Sequence, residues 1–189
     1  MKHTDIKLHQ TEIRIYQSLW KNMLYAVCCF AFAVGGGYII VTTDHIEWIT
    51  KMVGGWLGMI FFGGGGLLLT IMTLYNRIHR IPFIIIYEDK IELYEQGKGS
   101  YYSILFKDVR AFRLFSLDSS LMIAIDYKNT PLKQKIEESS TLKKKLMTYN
   151  FIKTGAIESI PVHNLKMRGK DVCHILNLWL ERFNQYNKE

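Results

Sequence analysis

Two long stretches of the chain contain no charged side chain. The first covers residues 22–43 and the second covers residues 52–76. A helix needs about 20 predominantly apolar residues to cross the hydrocarbon core of a bilayer, and each stretch is long enough. Two buried helices of a soluble core are the alternative, but both stretches exceed the usual length of globular helices. The pattern therefore predicts an integral membrane protein with two spans.

The charges around the two spans predict their orientation. The connection between them, residues 44–51, carries one lysine, Lys51, against Asp44 and Glu47. Lys and Arg residues close to the ends of spans stay on the cytoplasmic side. We therefore expect both termini in the cytoplasm and the short connection on the outside. The basic residues outside the pair are Lys2, Lys7, Arg14, Lys21, Arg77 and Arg80.

Glycine is the dominant residue type inside the two spans. Membrane helices associate through close approach of their backbones, which small residues allow. An antiparallel pair that turns near residues 47–48 places Gly37 opposite Gly58, so we expect the glycines to form the contact between the spans. Four consecutive glycines at residues 63–66 leave open a kink, or packing against another protein or a second copy. The candidate packing residues are Gly35, Gly36, Gly37, Gly54 and Gly58.

From residue 82 the composition becomes that of a water-soluble domain. Short runs rich in β-branched and aromatic residues alternate with polar positions, and polar turns such as residues 97–99 separate them. This rhythm predicts a curled antiparallel sheet or a small barrel. The predicted strands lie at residues 82–88, 91–96, 101–106, 109–115, 121–127 and 156–162.

Two further segments complete the predicted domain. Residues 130–155 are polar, and we expect a long inter-strand loop with one amphipathic turn or short helix. From about Lys170 the apolar positions recur every three or four residues, which predicts a helix with one apolar stripe. The stripe needs a partner, and the open end of the barrel is the nearest surface. Its members are Val172, Ile175, Leu176, Trp179, Leu180 and Phe183.

The order of these elements resembles bacterial membrane proteins that carry a pleckstrin-homology-like cytoplasmic domain. The segments that carry the resemblance are the hairpin at residues 87–93, the aromatic-x-Asp-aliphatic sequence at residues 106–109, the strand at residues 157–162 and the last helix. Lys90 occupies a position where many such proteins have glycine. The resemblance implies an α+β membrane protein of the bacterial inner membrane, in which an antiparallel β-barrel or sheet is closed by the C-terminal amphipathic helix.

The predicted organisation therefore has three parts. A cytoplasmic N-terminal segment covers residues 1–21, a transmembrane helical hairpin covers residues 22–81, and the pleckstrin-homology-like domain covers residues 82–189. The fold of that domain hosts lipid binding, protein docking and purely structural roles, so the resemblance implies an architecture without choosing an activity.

Candidate chemistry is sparse. The six histidines are scattered, the three cysteines form no zinc spacing, and the chain contains no phosphate-binding loop or nucleophile motif. We therefore expect no enzymatic activity, no metal and no cofactor. Neither span contains Asp, Glu, Lys, Arg or His, which disfavours a channel or transporter. Methionines beside Cys28 and Cys29 could line a path for a soft metal, but methionine is common filler in apolar segments.

The net charge of +7 favours a partner with negative charge. The basic residues are spread over the segments beside the spans and one loop, so we expect membrane lipids and no nucleic acid. The candidate lipid contacts are Arg77, Arg80, Lys143, Lys144 and Lys145. A solvated loop is the alternative for the three lysines, and we expect that loop to lack an apolar wedge.

These features predict a non-enzymatic, membrane-anchored interaction module. It would hold its domain at the inner leaflet to bind lipid headgroups or a protein partner. The alternative is an immunity or accessory protein that protects the membrane from a toxin through its glycine-rich hairpin. The short outer connection leaves little surface for a partner that arrives from outside, which favours the interaction module.

Overall fold

The chain folds into two compact units. The computed structural model describes residues 12–42, 48–117, 120–137 and 140–187. Residues 18–81 form a helical unit, and the residues on both sides of it together form an α+β unit. The structure divides the chain differently from the prediction, because the segment before the helices belongs to the same unit as the domain after them. Lys2 and Lys7 lie outside the described residues.

The helical unit contains two long apolar helices, as predicted. The first, α1, is Leu19–Thr42. The second begins with the short helix α2, Trp48–Thr50, continues through the π-helical segment Lys51–Leu57 and ends with α3, Gly58–Ile78. Both are long and apolar enough to cross a membrane, and 11% of the apolar window of each is buried, whereas a soluble core helix would be mostly buried. Residues 43–47, including Asp44 and Glu47, lie outside the described residues.

The first sheet of the α+β unit draws its strands from both sides of the helical unit. Its strand order is β1-β2-β3-β4, and every neighbouring pair is antiparallel. Ile15 of the first strand is the register partner of Ile84 of the second strand. A segment predicted as a separate N-terminal piece thus completes the sheet. The strands are β1 Ile13–Ile15, β2 Ile84–Ile86, β3 Lys90–Glu95 and β4 Ser100–Leu105.

The second sheet has the order β5-β6-β7 and is also antiparallel. A 3-10 turn, Phe106–Asp108, redirects the chain from the first sheet to the second. Among the residues that the structure describes, no strand pairing joins the two sheets. Of the two predicted alternatives, the antiparallel sheet is therefore confirmed and the small barrel is wrong, since two antiparallel sheets share one hydrophobic core. The strands are β5 Val109–Leu117, β6 Ser120–Tyr127 and β7 Glu158–Pro161.

The C-terminal helix, α6 at Gly169–Tyr186, packs on that shared core. The predicted stripe is confirmed: Leu176 is fully buried, while Trp179 is partly buried. A polar contact also holds the helix to β5. The amide of Asn177 donates to the carbonyl of Phe112 at 2.8 Å and its oxygen accepts from the Phe112 N–H at 3.0 Å.

Two helices occupy most of the segment predicted as a long loop. They are α4, Asn129–Glu137, and α5, Thr141–Thr154. The side chain of Met147 in α5 is 4% exposed and belongs to the hydrophobic core. The sequence prediction underestimated this segment because packing on a sheet can stabilise a helix whose own apolar periodicity is weak.

Candidate functional site

The contact between the two long helices is formed by glycines. A Cβ atom added at Gly36 would stand 2.9 Å from the carbonyl oxygen of Gly55 and 3.1 Å from the amide nitrogen of Met59. A Cβ atom added at Gly66 would stand 3.0 Å from the Cβ atom of Cys29. Close backbone approach is the usual way in which membrane helices associate. Gly36 was among the predicted packing residues, whereas Gly55 and Gly66 were not.

The other predicted glycines have a different environment. A Cβ atom at Gly37 would meet only the flexible sulfur of Met59, at 3.6 Å. Apart from the neighbouring residues and the backbone of the same helix, no atom of the described residues lies within 4 Å of the Cβ positions of Gly35, Gly54 and Gly58. These three instead line an open groove of about 380 Å³. The wider turns of the π-helical segment change which glycine faces α1, so an α-helical projection selects the wrong ones.

The turn between β3 and β4 lies beside both points where the chain passes between the two units. The amide of Gln96 donates to the side-chain oxygen of Gln17 at 3.0 Å. The hydroxyl of Tyr101 donates to the carbonyl oxygen of Pro82 at 2.8 Å. Lys98 at this turn is exposed and pairs with Glu95 at 3.1 Å. Gln96 and Tyr101, on either side of the turn, thus contact the residues where the chain leaves β1 and enters β2.

A second segment lies at the same end of the first sheet. The N–H of Lys166 donates to the carbonyl oxygen of Tyr16 at 3.0 Å, and Leu165 forms a β-bridge with Gln17. Lys166 is exposed, as is Arg168. We call residues 96–99 and 163–168 together the attachment rim. The sequence prediction missed Lys166 because only the folded structure brings it beside the end of β1.

Arg77 and Arg80, at the end of the second long helix, are exposed. Arg77 lies in the last turn of α3, where a cation interacts favourably with the helix C-terminus. Arg80 has a φ of 49°, in the left-handed region that commonly ends a helix. The N–H of Ile81 then donates to the carbonyl oxygen of Asn76 at 3.0 Å. The structure thus places both predicted candidate residues where the chain leaves the helical unit.

The predicted lysine run lies in α5. Lys144 and Lys145 are exposed, and the side chain of Lys143 lies outside the described residues. The same helix exposes Leu146 and Ile152. The expectation that this segment lacks an apolar wedge is therefore wrong.

A polar cluster links α4 to the second sheet. Lys135 donates to the carboxylate of Glu158 at 2.7 Å and to the hydroxyl of Tyr127 at 2.6 Å, and that hydroxyl donates to the same carboxylate. Burial and the nearby carboxylate raise the pKa of Tyr127, and burial followed by the same carboxylate raises the pKa of Tyr102 to about 12. Such phenols stay protonated at neutral pH, which suits a structural contact better than an activated nucleophile.

Within the described part of the chain, no group of three or more His, Cys, Asp or Glu residues could hold a metal ion. The buried Cys173 thiol lies 3.4 Å from the carbonyl oxygen of Phe112, and burial raises its pKa. No family model, curated protein or solved structure matches the chain.

Proposed function

We propose that this protein is a non-enzymatic, membrane-anchored interaction module. Its helical unit is a hairpin in the bacterial inner membrane, with both termini in the cytoplasm. The α+β unit, pleckstrin-homology-like in its order of elements, is held at the inner leaflet, where it contacts lipid headgroups or a protein partner. The single observation that carries this proposal is the pairing of β1 with β2, because the whole hairpin lies between those two strands.

The strand pairing supports one membrane side for both ends of the hairpin. Ile15 and Ile84 are register partners, and α1 begins at Leu19 while α3 ends at Ile78. Even fully extended, the connecting segments span at most about 14 Å and about 21 Å. The hydrocarbon core is about 30 Å thick, so a sheet that lies in water on one face could reach a helix end on the other face only through a segment longer than either of these.

The outward surface of the helices supports insertion. Large apolar side chains along both helices are exposed, among them Phe32, Val34, Phe61 and Leu68. Contiguous apolar surface of this extent is expected to face lipid or another protein. The basic residues around the hairpin ends then favour the cytoplasmic leaflet, whose anionic lipids attract each nearby Lys or Arg by about 1 kcal/mol.

Two experiments test this proposal. Reporter proteins fused after residue 189 and between the two long helices should report opposite compartments, and a shared compartment would rule out the hairpin. Deletion of residues 1–17 removes β1 and should destabilise the α+β unit in full-length protein, as seen by faster proteolysis. Deletion of residues 1–11 leaves β1 in place and is the matched control.

The groove beside Gly35, Gly54 and Gly58 favours the alternative of an immunity or accessory protein that recognises its partner through the hairpin. A photoreactive amino acid at position 58 tests it in native membranes. Cross-links to the span of another protein would support this alternative, whereas lipid adducts alone would support the interaction module.

A further inference from the structure

Helix α5 has apolar side chains on two faces. Met147 points into the core and is 4% exposed, whereas Leu146, Tyr149 and Ile152 are 57%, 58% and 75% exposed. Spacings of three residues place those three on one side of the helix. A helix that is apolar on more than one face needs more than one apolar environment. The sheet supplies the first, and the exposed stripe needs another.

The charges of α5 indicate which environment that is. Its residues 141–154 include Lys144, Lys145 and Lys153, and the helix contains no Asp or Glu. All three lysines are exposed. Lysine can keep its ammonium group in the headgroup layer while its aliphatic stem lies along apolar surface. Although the apolar periodicity of α5 is weak, exposed apolar side chains and lysines on the same helix attract it to an anionic membrane surface by hydrophobic and electrostatic contacts together.

We propose that α5 is an interfacial helix of the cytoplasmic leaflet. Leu146, Tyr149 and Ile152 insert at the boundary between headgroups and acyl chains, and the lysines contact anionic headgroups. This inference rests on the proposed function, because the hairpin keeps the domain next to that leaflet. Tethering raises the effective concentration of lipid around α5, so even a weak interfacial affinity keeps the helix docked.

The test uses the full-length chain in nanodiscs of phosphatidylcholine with or without phosphatidylglycerol. An environment-sensitive fluorophore is attached to cysteine in Ile152→Cys, after Cys28→Ser, Cys29→Ser and Cys173→Ala remove the native thiols. Lipids with a quencher on the acyl chain should quench this fluorophore strongly in anionic nanodiscs. Tyr149→Cys is a second reporting position, which guards against a local disturbance by the first label.

The control label is placed by Glu88→Cys, in the exposed turn between β2 and β3. This turn lies at the opposite end of β2 from the hairpin attachment, so its label should stay unquenched. Lipid quenching at positions 152 and 149 that is no stronger than at position 88 would overturn the inference. If the topology reporters still read opposite compartments, the proposed function would survive that result, whereas a failed topology would refute the proposed function itself.

The lysines are tested by replacing Lys144, Lys145 and Lys153 with Gln. Each lysine near an anionic surface contributes a factor of about five, so the ratio of docked to undocked α5 should fall by up to about a hundredfold. Unchanged quenching in this variant, or equal quenching in nanodiscs without phosphatidylglycerol, would overturn the role of charge and with it the proposal. The matched control replaces three exposed lysines elsewhere in the domain, Lys107, Lys128 and Lys170.

Discussion

Gly36→Ala should weaken the contact between α1 and the second long helix, whereas the adjacent Gly35→Ala should not. The new methyl group at position 36 would stand 2.9 Å from the Gly55 carbonyl oxygen and 3.1 Å from the Met59 nitrogen. Both are main-chain atoms, so relief requires movement of whole helical turns. At position 35 no atom of the described residues lies within 4 Å of the methyl position.

The expected magnitude follows from two opposing effects. Replacing a helical glycine with alanine stabilises a helix by about 0.5–1 kcal/mol, and both variants share that gain. Overpacking costs about 1–3 kcal/mol, and only Gly36→Ala incurs it. Gly36→Ala should therefore unfold with a free energy about 1–3 kcal/mol lower than that of Gly35→Ala. The comparison of neighbours removes the intrinsic helix term, so the difference reports the steric contact alone.

The assay is equilibrium unfolding of the full-length protein in dodecyl maltoside micelles by added sodium dodecyl sulfate, followed by tryptophan fluorescence. Trp20, Trp48 and Trp56 lie in the helical unit, where their exposed rings report its surroundings. Both variants are therefore made with Trp179→Phe, which removes the one tryptophan of the α+β unit. Circular dichroism of each variant before titration checks that its secondary structure is intact. Equal free energies for the two variants, or a greater loss in Gly35→Ala, would refute the assignment of Gly36 to the helix contact.

Three further predictions concern the α+β unit and are measured by urea unfolding in micelles. Leu176→Ala should lower the free energy of unfolding by about 2–5 kcal/mol because this side chain is fully buried. Trp179→Ala should lower it less, by about 1–3 kcal/mol, because this side chain is only partly buried. The reverse order would contradict the packing of α6. Lys135→Met leaves the Glu158 carboxylate, which is 17% exposed, without its ion-pair partner. This variant should have a free energy of unfolding about 1–3 kcal/mol lower than that of the natural protein. Burial, and then the Glu158 carboxylate, raise the pKa of Tyr102 to about 12, above the ordinary value of about 10. Because Tyr102 is 40% exposed, its neutral phenol contributes a small stability that is complete below about pH 10 and declines as the pH rises toward about 12. Tyr102→Phe should reduce this alkaline loss, to which the raised pKa of Tyr127 also contributes, and should remove one step in tyrosinate absorbance.

Local patterns predicted most of the secondary structure. Long charge-free stretches, alternating strand positions and the apolar stripe of α6 each arise within one segment, so they can be read from neighbouring residues. Strand β1 was missed because three residues, Ile13–Ile15, are too few to form a recognisable pattern. Its partner β2 lies beyond the whole hairpin, and that pairing is a tertiary contact.

The candidate site was predicted less completely than the fold. The glycine-rich spans indicated that backbone approach joins the helices, but only the packing of the two helices shows that Gly36, Gly55 and Gly66 make the close contacts. Residues 143–145 were recognised as basic, but the exposed apolar stripe of α5 is apparent only once packing has buried Met147 on the other side. A sequence lists which side chains are apolar, whereas packing determines which of them remain exposed.

The sequence by itself determined that this chain has two apolar helices followed by an antiparallel β domain and a capping helix, because hydrophobic periodicity is a local property. The tertiary structure alone decided that the hairpin is inserted between two paired strands of one domain. It also decided which glycines meet, which basic residues surround the attachment and which face of α5 is left uncovered. Those features depend on contacts between residues far apart in the chain, and their geometry exists only after the sheets have formed.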